Sequence, residues 1–457
     1  DEKHMRRVIV PQMKLGELAI GDIKLDPKSR DDIPQILRGL QHLYTTPELR
    51  EQIFAILGEV LPVRQVEGKS VKVDPNNGRP GMTQWQILVL GVLRLGLNAD
   101  YDRIHELANE HNTLRQMLGH GDWADKKYYN LQTLKDNLRL FTPEILDRLN
   151  QVIVQAGHQA LKKNPEDGVV GRCDSFVVET DVHFPTDINL LLDAIRKVIE
   201  ISAELSETYN LPGWRQHLYH QRQFKRQYRK VQRLKHSTSK DEIKKQQKEQ
   251  EIKDAHRAYL DLAEGYLTRA EQTSSQIGSC DPLTAAWLSG LNDFMEHARR
   301  QIDQVERRVI RDEHIPHKEK VFSLFEPHTE WISKGKAGVP VELGLRVCIM
   351  EDQYRFILHH RVMVKTTDDK VAFAMVGETK QKFPTLRAVS MDKGFYSPAN
   401  QEVLNPRLER LVLPKKGKLS QVDKERESDP EFANLRKQHS AVESAINALE
   451  VHGLDKC

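Results

Sequence analysis

Three carboxylates stand where oxygen-ligand chemistry would want them: Asp174 after the run VVGRC, Asp392 closing the run LRAVSM, and Glu443 on a helical pattern near the C-terminus. Phosphoryl transfer needs an attacking oxygen activated and a leaving oxygen stabilised in line, and two Mg²⁺ ions about 4 Å apart serve both ends. Such hard cations take carboxylate oxygens rather than His or Cys. With 66 Asp and Glu in the chain, order alone decides nothing, and a solvated surface acid is the plain alternative at each place. Context carries the argument. Asp174 interrupts an otherwise apolar strand pattern, and Asp392 precedes Lys393-Gly394, a turn exposing it at the carboxyl edge of a sheet, where ligands of such sheets bind. Glu443 falls at the margin of the stripe Phe432, Leu435, Val442, Ile446 and Leu449. Asp181 and Asp187 compete for the first place and Glu450 for the third.

The elements that must position these acids are legible as a change of pattern along the chain. Gly168 bounds the β-branched run VVGRCDSFVV, a strand signal, and about 130 helix-forming residues follow. Val341–Met350 and Tyr354–Val364 read as a β-hairpin with its turn at Glu351-Asp352. Asp368–Lys380 reads as helix, Leu386–Met391 as strand, Ser397-Pro398 as a helix start and Arg410–Pro414 as strand. A last helix is expected from Asp429-Pro430-Glu431 to Glu450, stopped at Gly453. Strand, long interruption, two strands, helix, strand, helix, strand, helix is the order of a ribonuclease H-like core with an insertion after its first strand. A plain doubly wound sheet fits less well because of the early hairpin.

Upstream, Asp1–His4 read as a tag remnant before a start at Met5. One helical stretch is expected over Asp31–Leu61, then a linker over Glu67–Pro80. Short helices follow across Met82–Lys162. Thr83 with Gln86 forms a capping box for Ile87–Leu97, and Thr142-Pro143-Glu144 starts a helix whose stripe is Ile145, Leu149, Val152, Ile153 and Ala156. The layout is thus a multidomain α+β chain. Residues 5–80 form an N-terminal arm and linker, 81–165 a helical region, 166–187 with 321–457 the catalytic core, and 188–320 a helical insertion.

At 457 residues there is room for two to four domains. Cys173, Cys280, Cys348 and Cys457 form no CxxC pair, which gives no sign of a zinc site or a disulfide framework. No apolar run approaches the length of a membrane helix and nothing resembles a signal peptide, so a soluble, cytoplasmic protein without a membrane partner is expected. Net charge is only +3, so distribution matters more than the total. Trp214–His236 holds eight Lys or Arg and no acid, with Trp214, Tyr219, Phe224 and Tyr228 interleaved. The mixed charges after it suit a solvated helix or an antiparallel coiled coil.

The segments DSFVVETDVHFPTDINLL, LFEPHTEWISKGKAGVPVELGLRV, FPTLRAVSMDKGFYSPANQEVL and HSAVESAINALEVHGLDKC resemble bacterial insertion-sequence transposases of the DDE class, particularly the ISNCY group. With the helical Met82–His158 region the resemblance covers most of the chain. It implies that Asp174, Asp392 and Glu443 are the catalytic, metal-binding triad for two Mg²⁺ ions, with Mn²⁺ substituting. The implied partners are double-stranded DNA, as element terminal repeats and target, and a second copy of the chain, since both ends must be brought together. Related transposases often carry an Arg four residues before the catalytic Glu and a Lys about seven after it, where this chain has His439 and Glu450; Arg436 or Lys437 are possible substitutes. The resemblance also implies more sequence after GLDKC.

A transposase must hold DNA before cutting it. The stretch Ile87–Phe141 resembles a helix-turn-helix whose recognition helix would start near Asn130, bringing Asn130, Gln132, Thr133 and Lys135 to the bases; an ordinary helical bundle is the alternative. Arg215, Arg222, Lys225, Arg226, Arg229 and Lys230 are expected on the DNA backbone, against the alternative of a basic solvated helix. Lys334 and Lys336, in a loop before the second strand, and Lys393 would approach DNA near the metals, while Trp331 is expected in the core or as stacking support. A nuclease of the same fold that cuts without joining, and a non-catalytic helical DNA-binding scaffold, are the rival functions.

Overall fold

The computed structural model describes residues 7–9, 17–60, 63–66, 69–72, 81–121, 126–161, 164, 167–278, 281–333 and 340–457. Most of the expected linker, Cys280, Lys334 and Lys336 therefore lie outside the described residues. The fold is mixed α+β, with one six-stranded mixed sheet beside a separate two-stranded hairpin of β1 (Val63–Val66) and β2 (Lys69–Lys72). Contacts divide the chain into two compact units, residues 1–178 with 346–457, and residues 179–345.

In the first unit the N-terminal helices form one core. The helix expected over Asp31–Leu61 is two helices, Asp32–Thr45 and Pro47–Gly58, because the residue before a proline is driven out of the helical region, and Thr46 is extended at φ −87°, ψ 111°. Their Leu37, Ile53 and Leu57 share a core with Trp85, Leu90, Ile104 and Leu134, so packing draws no line at residue 80. The Thr83–Gln86 capping box forms in both directions, at 3.2 and 3.1 Å, and starts the helix Gln84–Gly96. The helix Pro143–Leu161 buries Leu149 and Val152 in this core and Val154 in the core of the sheet. Ile153, assigned to the stripe by spacing, is instead 37% exposed.

The sheet is built from β3 (Val169–Glu179), β4 (Glu330–Ser333), β5 (Val341–Asp352), β6 (Ile357–Met363), β7 (Leu386–Met391) and β8 (Arg410–Val412). Its order is β4-β5-β3-β7-β8, with β6 also on β5. β3, β7 and β8 run parallel, whereas β5 pairs antiparallel with β4 and β6. The helix Asp368–Lys382 covers one face, where Val371, Ala372 and Met375 meet Cys173, Leu386, Val389 and Met391. On the other face, Val442 of the helix Val442–Leu449 packs on Phe176, Val178 and Ile349.

Two expectations are corrected here. The acids taken for the hairpin turn, Glu351 and Asp352, end β5 and are buried. Asp352 accepts from the backbone N–H of Tyr354 (2.8 Å) and Phe356 (2.9 Å) and pairs with His158 Nε2 at 2.5 Å. The turn itself follows, with Arg355 at φ +72°. The last long helix is also broken, into Pro430–His439 and Val442–Leu449, and Gly453 ends the second piece at φ +92°.

The second unit holds the insertion. Four helices, Asp187–Thr208, His217–Arg233, Glu242–Ser275 and Pro282–Val305, bury Ile195, Val198, Trp214, Phe224, Tyr259 and Leu291 together. Among the described residues no helix is long and apolar enough to cross a membrane.

Candidate active site

Strand register decides the first geometric question. Arg172 lies opposite Ser390 and Cys173 opposite Met391 on the parallel neighbours β3 and β7. Asp174 and Asp392 each follow the last paired residues, Asp174 still within β3 and Asp392 just past the end of β7, so the register brings their backbones to neighbouring positions. β7 stops there while β3 continues to Glu179, which leaves Asp392 exposed at the edge. Alternation puts Asp174 on the same face as Phe176 and Val178, the face covered by Val442. Glu443, the next residue, opens that helix and is exposed.

The neighbouring acids act on Asp174. Burial pushes the half-buried Asp174 carboxyl from its ordinary 3.8 up to about 6, and the negative charges of Asp392, Asp368 and Glu443 all add to the rise. Only the hydrogen bond from the Ser175 N–H, at 2.8 Å, opposes it. A carboxylate raised by burial and by three neighbouring acids is one whose ionised form a bound cation would stabilise. Among the described residues no set of three or more His, Cys, Asp or Glu is drawn together as a ready-made metal cage. Mg²⁺ does not require one, since it keeps several waters and is held by one or two carboxylates together with substrate phosphate.

Two participants escaped the sequence. Asp368, first residue of its helix, accepts from Ser175 Oγ at 2.7 Å and lies 3.7 Å from the Arg346 guanidinium. A Cβ at Gly394 would come within 2.9 Å of the Asp368 carboxylate, so glycine is what lets the turn after Asp392 lie against it. In sequence, Asp368 is an ordinary acid in a first helical turn. His439, noted only as a departure from the transposase pattern, bonds Ser390 Oγ through Nδ1 at 3.0 Å. Burial holds its pKa below the usual value against the raising fields of Asp392 and Glu443, and His439 stands at the position where related transposases often carry an Arg. On the same face Arg172 is buried against Glu351 at 3.2 Å. Of the competing acids, Asp187 is engaged by Arg308 at 2.8 Å, while the acids whose charges raise Asp174 are Asp392, Asp368 and Glu443.

The expected DNA-contacting residues that are described fall in three places. Asn130 caps the short helix Leu131–Leu138, accepting from the Gln132 N–H at 2.9 Å, and the Gln132 amide is turned to Asp136 at 2.7 Å. Both are exposed, as is Thr133, while Lys135 lies over the Tyr101 ring at 5.8 Å. In the second unit Arg215, Arg222, Lys225, Arg226, Arg229 and Lys230 are all exposed and make no ion pair with a described residue. That contrasts with the helices around them, where Arg196, Lys197, Lys248 and Arg257 are paired with acids. The interleaved rings are mostly core: Trp214 and Phe224 are buried, Tyr228 half-buried, and Tyr219 exposed. Lys393 is exposed beside Asp392. Trp331 packs edge-on to Phe184, with ring centroids 5.4 Å apart.

Compared with protein-family models, curated proteins and solved structures, the chain matches none.

Proposed function

We propose that the chain is a DDE-class transposase, a metal-dependent polynucleotidyl transferase that cleaves DNA at the ends of a mobile element and joins the freed 3′-hydroxyl to target DNA. The observation that carries this is the register of β3 and β7, which sets Asp174 and Asp392 side by side with Glu443 acting on the same carboxylate. The strand order supports a ribonuclease H-like core. Counted from β3, β5 with its antiparallel neighbours β4 and β6 lies to one side and the two parallel strands β7 and β8 to the other, and the acids sit on β3, after β7 and on the helix Val442–Leu449.

The donor set is all oxygen, which fits a hard cation; Asp174, Asp392 and Glu443 would hold Mg²⁺, or Mn²⁺ in its place. Bound there, the metal supplies activation of the attacking oxygen and charge neutralisation on the leaving one. The protein supplies position. Asp174 and Asp392 are fixed by the hydrogen-bonded sheet, and Glu443 is fixed by burial of its neighbour Val442. Ser390 and Asp368 steady the two strand positions through His439 and Ser175. Lys393 offers a charge to the phosphate beside Asp392. A dimer that holds both element ends and acts in the cytoplasm belongs to the same proposal.

Labelled terminal-repeat DNA incubated with a plasmid and Mg²⁺ is expected to yield label covalently joined to the plasmid. Cleavage products without joined ones would mean a nuclease, and neither product a DNA-binding scaffold. The basic helix makes its own prediction. Each phosphate contact contributes about 0.9 to the slope of log affinity against log salt, so the combined Arg222→Ala, Arg226→Ala and Arg229→Ala variant should lower that slope by about 2 to 3. An unchanged slope would leave these cations as a solvated surface.

A further inference from the structure

A cavity of about 810 Å³ opens within the second unit, where the basic helix His217–Arg233 ends. Tyr228, Val231 and Gln232 from that helix line it, with Phe184 opposite. We infer that it receives an unpaired nucleotide of the bound DNA, an inference that rests on the function proposed above.

Three features point to that ligand. The first is size and wall chemistry. The volume suits a nucleotide-sized molecule, and Phe184 is 60% exposed with its ring edge-on to Trp331, so its ring is open for a base to stack on. The second is the edge chemistry. Gln232 is exposed and its amide has no partner among the described residues, which leaves a donor and an acceptor for a base edge. Glu249 on the same rim argues against a pocket built for bare phosphate and offers an acceptor to an exocyclic amine. The third is approach. Lys225, Arg229 and Gln232 follow one another at i, i+4 and i+7, so a cationic row on one helix face leads to the cavity mouth. Lys253, also in the lining, brings positive charge to the phosphate of a nucleotide that has entered, and His236 adds a ring nitrogen for hydrogen bonding. A paired base buried in a duplex cannot use the ring face and the amide together, and an unpaired one can.

The test uses the full chain and two fluorescent duplexes of one sequence, blunt or with a short single-stranded overhang carrying 2-aminopurine. Anisotropy titrations at fixed salt should show the overhang bound about tenfold more tightly, with the 2-aminopurine emission quenched on binding. Phe184→Ala and Gln232→Ala, both at exposed positions, should abolish the preference and, for Phe184→Ala, the quenching, without weakening blunt DNA more than about twofold. Arg229→Ala should weaken both duplexes alike. Equal binding of the two duplexes by the wild type, or a preference that survives both substitutions, overturns the inference while leaving the proposed function standing. Binding of neither duplex removes both.

Discussion

Asp392→Asn and Glu443→Gln are each expected to lower DNA cleavage and joining by at least about 10³-fold, equivalent to ~4 kcal/mol of lost transition-state stabilisation, while DNA binding without metal stays within about twofold. Both residues are exposed, so neither substitution disturbs the core, and loss of activity cannot be charged to misfolding. Both also change charge without changing shape. If they serve only as solvated surface acids, rates will not move. The decisive comparison is with Glu450→Gln, in the segment that follows the Glu443 helix and not among the acids that raise Asp174 most. That variant should retain full activity. Rates of nicking and strand transfer in Mg²⁺ and in Mn²⁺ measure all three. Full strand transfer by either of the first two would remove that residue from the chemistry.

Asp174→Asn should do the opposite to stability. The native carboxyl is raised from 3.8 to about 6, so the favourable contribution of its neutral form is complete below the unfolded value and is lost as pH rises through about 6. Above pH 7 the ionised carboxylate therefore costs the metal-free fold about 2–3 kcal/mol, and an amide of the same shape carries no such penalty. The variant should melt several degrees above the wild type at pH 8, match it at pH 4, and be inactive at both. Adding Mn²⁺ should raise the wild-type Tm and leave the variant's unchanged, since only a ligand bound by the native state stabilises it. Scanning calorimetry across pH, with and without metal, reads all of this. A variant less stable than the wild type at pH 8 would show Asp174 to be an ordinary structural acid.

How much of this was legible beforehand depends on how local each signal is. Leu386–Met391 was read with its true bounds because an apolar run bracketed by Pro384 and by Asp392-Lys393-Gly394 leaves no freedom in where a strand begins or ends. Asp174 and Asp392 could be picked out because each is a charge interrupting or closing a buried strand. Their adjacency was not legible, since it depends on which strands pair and in what register. Glu351 and Asp352 were misread because two acids in a row resemble a turn; partners that justify their burial, Arg172 and His158, lie 179 and 194 residues away. Asp368 looked like any helix-starting acid until Ser175 and Gly394 were brought to it. The break at Ser440-Ala441 carries no Pro or Gly and was invisible.

The helix Pro143–Leu161 has a consequence for how such proteins can diversify. It gives Leu149 and Val152 to one core and Val154 to another, and its His158 closes on an Asp352 carboxylate with no exposed surface. Cutting the chain after it would strip that buried acid of its counterpart, a loss of ~3–5 kcal/mol, and open the sheet's interior to water. The N-terminal helices therefore cannot be traded as a self-contained cassette. Under the proposed function, new sequence preferences would have to arise by point changes on the outer surface of Leu131–Leu138, one side chain at a time, with the joint beneath left intact.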